Sequence, residues 1–203
     1  IEDVVIIDID NTSVGPVEEG GLGRYHNWPH AYHGTLINTV SSGNPKALLF
    51  DIIFDQENTF KYDLVQALSS NTSSANENLA TVTDQFLYSN DPSKFVSATI
   101  NSNKTYHAIV FEQEDTLNFL PKMDAEPPGY DYENHIISGV SDEAKIKLPQ
   151  ADRIGNTYVE LLSASIGNGS ANFPQDNDGV IRRAPTAIYF EGADHVYPSL
   201  VMS

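Results

Sequence analysis

Pro45-Lys46-Ala47-Leu48-Leu49-Phe50-Asp51-Ile52-Ile53-Phe54 reads as a short apolar strand that meets an acidic residue and then a second apolar step. Ala47 to Phe50 carry no polar side chain, the pattern of a strand covered on both faces, as in a parallel sheet. Upstream, Tyr32, Leu36, Ile37 and Val40 recur at helical spacing until Ser41-Ser42-Gly43 ends the run. Further upstream still, Val4-Val5-Ile6-Ile7-Asp8-Ile9 is another apolar, β-branched run that reads as a buried strand. Strand, helix and strand in this order predict a right-handed β-α-β unit.

The pattern repeats downstream. Asp91-Pro92 places an N-cap and an early-helix proline ahead of Phe95, Val96, Thr99 and Ile100, one apolar helical face, and His107 to Phe111 follows as a third strand. Between the second and third strands lies more chain than a crossover needs. A helix is expected from Lys61 to Leu68, then a polar Ser/Asn stretch, then Leu79 to Leu87, so 69–90 reads as an insertion, part loop and part helix. From Glu112 to Gln150 the periodicity fades, with Pro121, Pro127, Pro128 and Gly129 marking irregular structure. Tyr158, Leu161, Leu162 and Ser165 predict a helix ending at Gly167. Val180 to Ala184 and Ala187 to Phe190 predict two strands, introduced by the Asp178-Gly179 turn and separated by Pro185. The expected architecture is a single α/β domain over 1–203, three-layered. Its mixed sheet would be parallel in a β-α-β-α-β first half and antiparallel in its C-terminal strands.

Composition narrows the partners. The 203 residues include 11 Lys plus Arg against 28 Asp plus Glu, a formal charge of −17. That argues against nucleic acid and anionic membrane surfaces, which are bound through clustered basic side chains. The absence of cysteine removes disulfides, thiolate metal sites and cysteine nucleophiles together. No apolar run approaches the roughly 18–20 residues of a membrane span. Tyr197-Pro198-Ser199-Leu200-Val201-Met202-Ser203 reads as the first turn of a helix cut short, the mark of a piece excised from a longer protein. Asn-x-Ser/Thr sequons begin at Asn11, Asn71, Asn103 and Asn168.

Three constellations bear on chemistry. Asp8-Ile9-Asp10-Asn11-Thr12, at the end of an apolar run, resembles the signature of haloacid-dehalogenase-type phosphatases, in which two aspartates hold magnesium and one attacks phosphorus. Asp51 and Asp55 follow the second strand. In an open α/β sheet they would share a crevice with Asp8 and Asp10, where four carboxylates require a counter-charge: a divalent cation, Arg24, or Arg182 and Arg183. Asp176-Asn177-Asp178-Gly179 resembles part of a calcium loop, yet Pro174 stands where the first ligand belongs, so a hairpin turn is the better reading. His26, His30 and His33 have metal-like spacing, but Trp28-Pro29 interrupts any helix between the first two, and a Trp-Pro corner leading into a helix is the plainer expectation.

Taken in order, the Val5 to Asp10 run, Trp28-Pro29 with its helix, the 45–54 segment, Asp63 and its helix, Asp178-Gly179-Val180-Ile181-Arg182-Arg183-Ala184-Pro185 and Tyr197-Pro198-Ser199-Leu200 resemble the second type of CHASE domain. These are the sensory extracellular domains associated with cyclases and histidine kinases. The 45–54 and 178–185 segments are the specific parts. The sequence departs from the family at the insertion 69–90, at Asn27 and in the irregular region 113–150.

The resemblance implies an extracytoplasmic, non-catalytic sensor of a membrane-anchored cyclase, histidine kinase or Ser/Thr kinase. It brings no ligand with it. The sheet geometry nominates Asp8, Asp10, Arg24, Trp28, Asp51, Asp55, Arg182 and Arg183 as the binding site for an unknown small molecule or ion. No catalytic residue and no cofactor other than a divalent cation are expected; the oligomeric state is left open by the sequence, a homodimer being one option. The rival expectation is the magnesium-dependent phosphatase using Asp8 and Asp10.

Overall fold

A computed structural model describes residues 4–56, 60–71, 77–112, 124–172 and 185–203. In chain order its helices are α1 (His30–Ser41), α2 (Phe60–Asn71), α3 (Glu77–Asn90), α4 (Ser93–Ser102), α5 (Asp142–Lys145) and α6 (Val159–Ala164). The strands are β1 (Leu48–Phe50), β2 (Thr105–Glu112), β3 (Gln150–Ala151), β4 (Arg153–Asn156), β5 (Gly167–Ser170), β6 (Ala187–Phe190) and β7 (His195–Pro198).

The fold is mixed α/β, with two mixed sheets in which parallel and antiparallel pairs alternate along the chain rather than dividing into a parallel first half and an antiparallel second. Strand β2 is the hub: it pairs in parallel with β1 and β5 and antiparallel with β4. A second sheet runs β3-β6-β7, with β3 parallel and β7 antiparallel to β6. A bridge between Ser170 and Ser199 joins the two sheets.

Helix α4 forms where the sequence places it. The Asp91 carboxylate accepts from the Ser93 N–H and hydroxyl at 2.9 and 2.7 Å, and Asn103 ends the helix in the left-handed region at φ 49°. Phe95, Ala98 and Thr99 turn inward from it. One core unites Ile37, Phe50, Phe54, Phe95, Tyr158 and Leu161, where α1, α4 and α6 meet β1. The other gathers Phe111, Tyr132, Ile154, Ile188, Phe190 and Tyr197, where β2 and β4 meet the second sheet. This is consistent with three layers.

Three expectations differ from the fold. Val4 to Ile9 forms no strand: Val5 and Ile6 are 85% and 86% exposed, and among the described residues no strand pairs with them. Propensity favours an extended chain, but a strand exists only where a neighbour supplies ladder partners. The parallel neighbour of β2 on its other side is instead β5, in Gly167-Asn168-Gly169-Ser170, which lies past the end of the expected helix. Tyr197 and Pro198 do not open a helix; they close β7, with Pro198 opposite Ala187. Proline is tolerated there because β7 lies at the edge of its sheet, where a missing donor disturbs no second ladder.

Helix α2 covers the expected Lys61–Leu68 helix and α3 the expected Leu79–Leu87 segment, while Val180 to Ala184 and the Asp178-Gly179 turn lie outside the described residues.

Candidate functional site

The residues nominated from sequence are scattered in role. Asp8, Asp10, Arg24, Asp51 and Asp55 are all exposed. Asp10 accepts from the Ser13 N–H and hydroxyl at 2.7 Å each, and these bonds hold its carboxyl below the usual range. It shapes the turn that follows it. Trp28 is buried, and its indole N–H donates to the Gly23 carbonyl at 2.9 Å, with Tyr25 edge-on at 5.2 Å. That is the Trp-Pro corner expected of it, and α1 starts two residues on. Arg182, Arg183 and the Asp176–Asp178 segment lie outside the described residues.

Among the described residues, no three His, Asp or Glu side chains gather closely enough to hold a metal ion. His26 is exposed, whereas His30 and His33 enter the aromatic core, so the three histidines divide between solvent and core.

A different place combines shape with unspent polarity. All four residues of β5 are buried, and its two glycines let neighbours approach. A Cβ at Gly167 would stand 3.0 Å from the Tyr106 ring, and one at Gly169 would stand 2.6 Å from Leu200 Cα and 2.2 Å from Ser203 Oγ. Gly169 thereby admits the turn at 199–203 against the strand. Leu200 N–H donates to the Ser170 carbonyl at 2.9 Å, and the Ser203 hydroxyl lies 3.0 Å from the carbonyls of Asn168 and Ser199.

Beside this junction is a cavity of about 560 Å³. Its walls are β5 with Ile166, the 134–137 segment, Tyr106, the ends of β6 and β7, and the Met202-Ser203 turn. Asn168, 1% exposed, donates from Nδ2 to the Tyr130 hydroxyl, while its Oδ1 is buried without a partner. Tyr130 stacks on His135 at 5.3 Å and 17°. Burial pulls the His135 imidazole below its ordinary pKa, with Asp131 opposing, so the ring is neutral at pH 7. No charged side chain lines the cavity among the described residues.

The wall segment is itself anchored, since the Ile137 N–H donates to the Val196 carbonyl at 2.7 Å. Upstream, Glu126 accepts from His195 Nδ1 at 2.6 Å and from the Tyr197 hydroxyl, tying the irregular region to β7. Sequence reasoning missed this site because its walls come from segments up to about 100 positions apart. The available signal was Gly-Asn-Gly at 167–169, since glycine inside a strand marks close backbone approach. The same burial excludes Asn168 as a glycan acceptor in the folded chain.

A family model for the CHASE2 domain matches residues 1–203, the whole chain. No curated protein and no solved structure matches.

Proposed function

The chain belongs to the CHASE2 domain family, a family of sensory extracellular domains, and from that premise we propose that it is the ligand-sensing module of a membrane-anchored receptor. Its output would be a cyclase, a histidine kinase or a Ser/Thr kinase, and the module itself would be non-catalytic. No helix among the described residues is long and apolar enough to cross a membrane, so in this reading the anchor lies elsewhere in the receptor.

The observation that carries the sensing role is the shared wall between cavity and C-terminal turn. A ligand changes an equilibrium only by binding one state better than another. Asn168 is part of the cavity wall and its carbonyl accepts from the Ser203 hydroxyl, so occupancy and the position of 199–203 meet at the same residue. The rival phosphatase draws no support from the placement of Asp8 and Asp10, which are exposed, with Asp10 engaged by Ser13.

Thermal unfolding in the presence of a low-molecular-mass filtrate of growth medium tests the reading, with Thr186→Trp as a variant that fills the cavity from its exposed rim. A ligand at 100 times its Kd adds about 2.7 kcal/mol. At roughly 2–4 °C per kcal/mol this raises Tm by about 5–10 °C. The reading expects that rise in the wild type and its loss in Thr186→Trp. A rise of equal size in both proteins contradicts it.

A further inference from the structure

We propose that the cavity beside β5 takes a neutral ligand with an apolar body and at least one hydroxyl or N–H donor, which Asn168 Oδ1 accepts. The proposal rests on the sensory reading of this cavity and adds the chemistry of what fills it.

Charge is the first discriminator. An anion entering the cavity finds no basic side chain among the described lining residues and meets the field of a chain carrying −17. A cation finds no carboxylate there to offset the loss of its hydration. Neutral molecules bear neither penalty. The apolar part of the lining is substantial: Ile136, Ile137, Ile166, Pro198 and Met202 offer contact to a hydrocarbon or ring body, with the Tyr106 ring beside them.

The polar requirement comes from Asn168. Its amide is fully buried on a central strand pairing, with one end satisfied by Tyr130 and the other unsatisfied. An orphaned buried acceptor is costly, and a ligand that supplies the missing donor offsets that cost. Oδ1 is covered in this state. A ligand that bonds to it therefore selects a state in which the wall has shifted, and one wall is the exposed Met202-Ser203 turn. Neutral His135 adds an imidazole that can donate or accept on the same wall.

Four one-ring probes separate these requirements: benzyl alcohol, anisole, benzoate and benzylammonium, each titrated into the ¹⁵N-labelled chain while the backbone amides of Ile137, Gly167, Asn168 and Met202 are followed. Benzyl alcohol is expected to shift these amides saturably, and anisole, which lacks a donor, to bind about tenfold more weakly. The two ions are expected to leave them in place. In Asn168→Ala the preference for benzyl alcohol over anisole should vanish, and in Thr186→Trp, which retains the Asn168–Tyr130 bond, all probes should be excluded.

Equal or stronger shifts with benzoate or benzylammonium overturn the neutral class and leave the sensory cavity standing. Equal affinity for benzyl alcohol and anisole in the wild type overturns the donor requirement. No shift at these amides with any probe overturns the cavity as a ligand site altogether.

Discussion

His107 sits at 0% exposure on β2, stacked against Phe50 at 4.9 Å and flanked by Phe54 and Phe95, and neither ring nitrogen has a hydrogen-bond partner. Desolvation pulls its pKa down to about 3, and that of neighbouring His33 to about 4, each also lowered by another histidine. A folded pKa below the unfolded value leaves the unfolded chain holding more protons between the two, so these groups make stability fall as pH drops below about 6.5. Each contributes a slope of about 1.4 kcal/mol per pH unit in that range. Carboxylate protonation changes the total as well, so the difference between wild type and His107→Leu isolates the effect. Urea unfolding from pH 7 to 4.5 is expected to show the variant close to wild type at neutral pH and gaining on it steadily below 6.5. Parallel pH profiles for the two proteins would refute the assignment.

Gly169 makes a second prediction at this scale. A Cβ there meets the Leu200 backbone at 2.6 and 2.7 Å, atoms that cannot rotate aside. Gly169→Ala should therefore destabilise by about 1–3 kcal/mol and speed amide exchange at Leu200, whose N–H is held by Ser170. Unchanged exchange at Leu200 would mean that the turn is not seated on the strand.

Among the elements, the contact of α1 with α4 depends on Gly34. A Cβ at this position would stand 2.6 Å from the Lys94 carbonyl oxygen and 3.1 Å from Phe95 Cα. Alanine improves helix propensity by about 1 kcal/mol. A backbone clash between two helices outweighs that, since the helices must separate and loosen Phe95, which is fully buried between them and β1. Gly34→Ala is expected to lose about 1–3 kcal/mol in denaturant unfolding, and a gain in stability would show that the helices are less closely seated than described.

How far the elements could be read follows from where their causes lie. Helices α1 and α4 and strands β1, β2 and β6 carry local periodicity, capping residues or β-branched runs, and their positions agree with the sequence reading. Strand β5, Gly-Asn-Gly-Ser, has weak strand composition, and it pairs with β2 where its glycines admit the close approach of Tyr106 and Leu200. Val4 to Ile7 shows the converse, with strong strand composition and no pairing among the described residues. In both cases the deciding term is tertiary, and no spacing within the segment reports it.

At the scale of the whole molecule, the acidic crevice and the cavity illustrate the same division. Asp8, Asp10, Asp51 and Asp55 attract notice as charged residues near apolar runs, yet all four are exposed, and no metal-competent group forms among the described residues. The cavity is assembled from Tyr106, His135, Asn168, Thr186 and Met202, which share no motif. Its wall includes one buried amide that the fold leaves half satisfied. The family was legible because segments 45–54 and 178–185 are distinctive in order, whereas the site requires the folded arrangement of β5, the 134–137 segment and the C-terminal turn.

The central claim is that occupancy of the cavity and the position of residues 199–203 are coupled. Hydrogen–deuterium exchange on the chain with and without saturating benzyl alcohol measures this directly. The account predicts that exchange changes at the amides of Leu200 and Met202 together with those of Gly167 and Asn168, and that Thr186→Trp abolishes both changes. A change confined to Gly167 and Asn168, with Leu200 and Met202 exchanging as before, would contradict it.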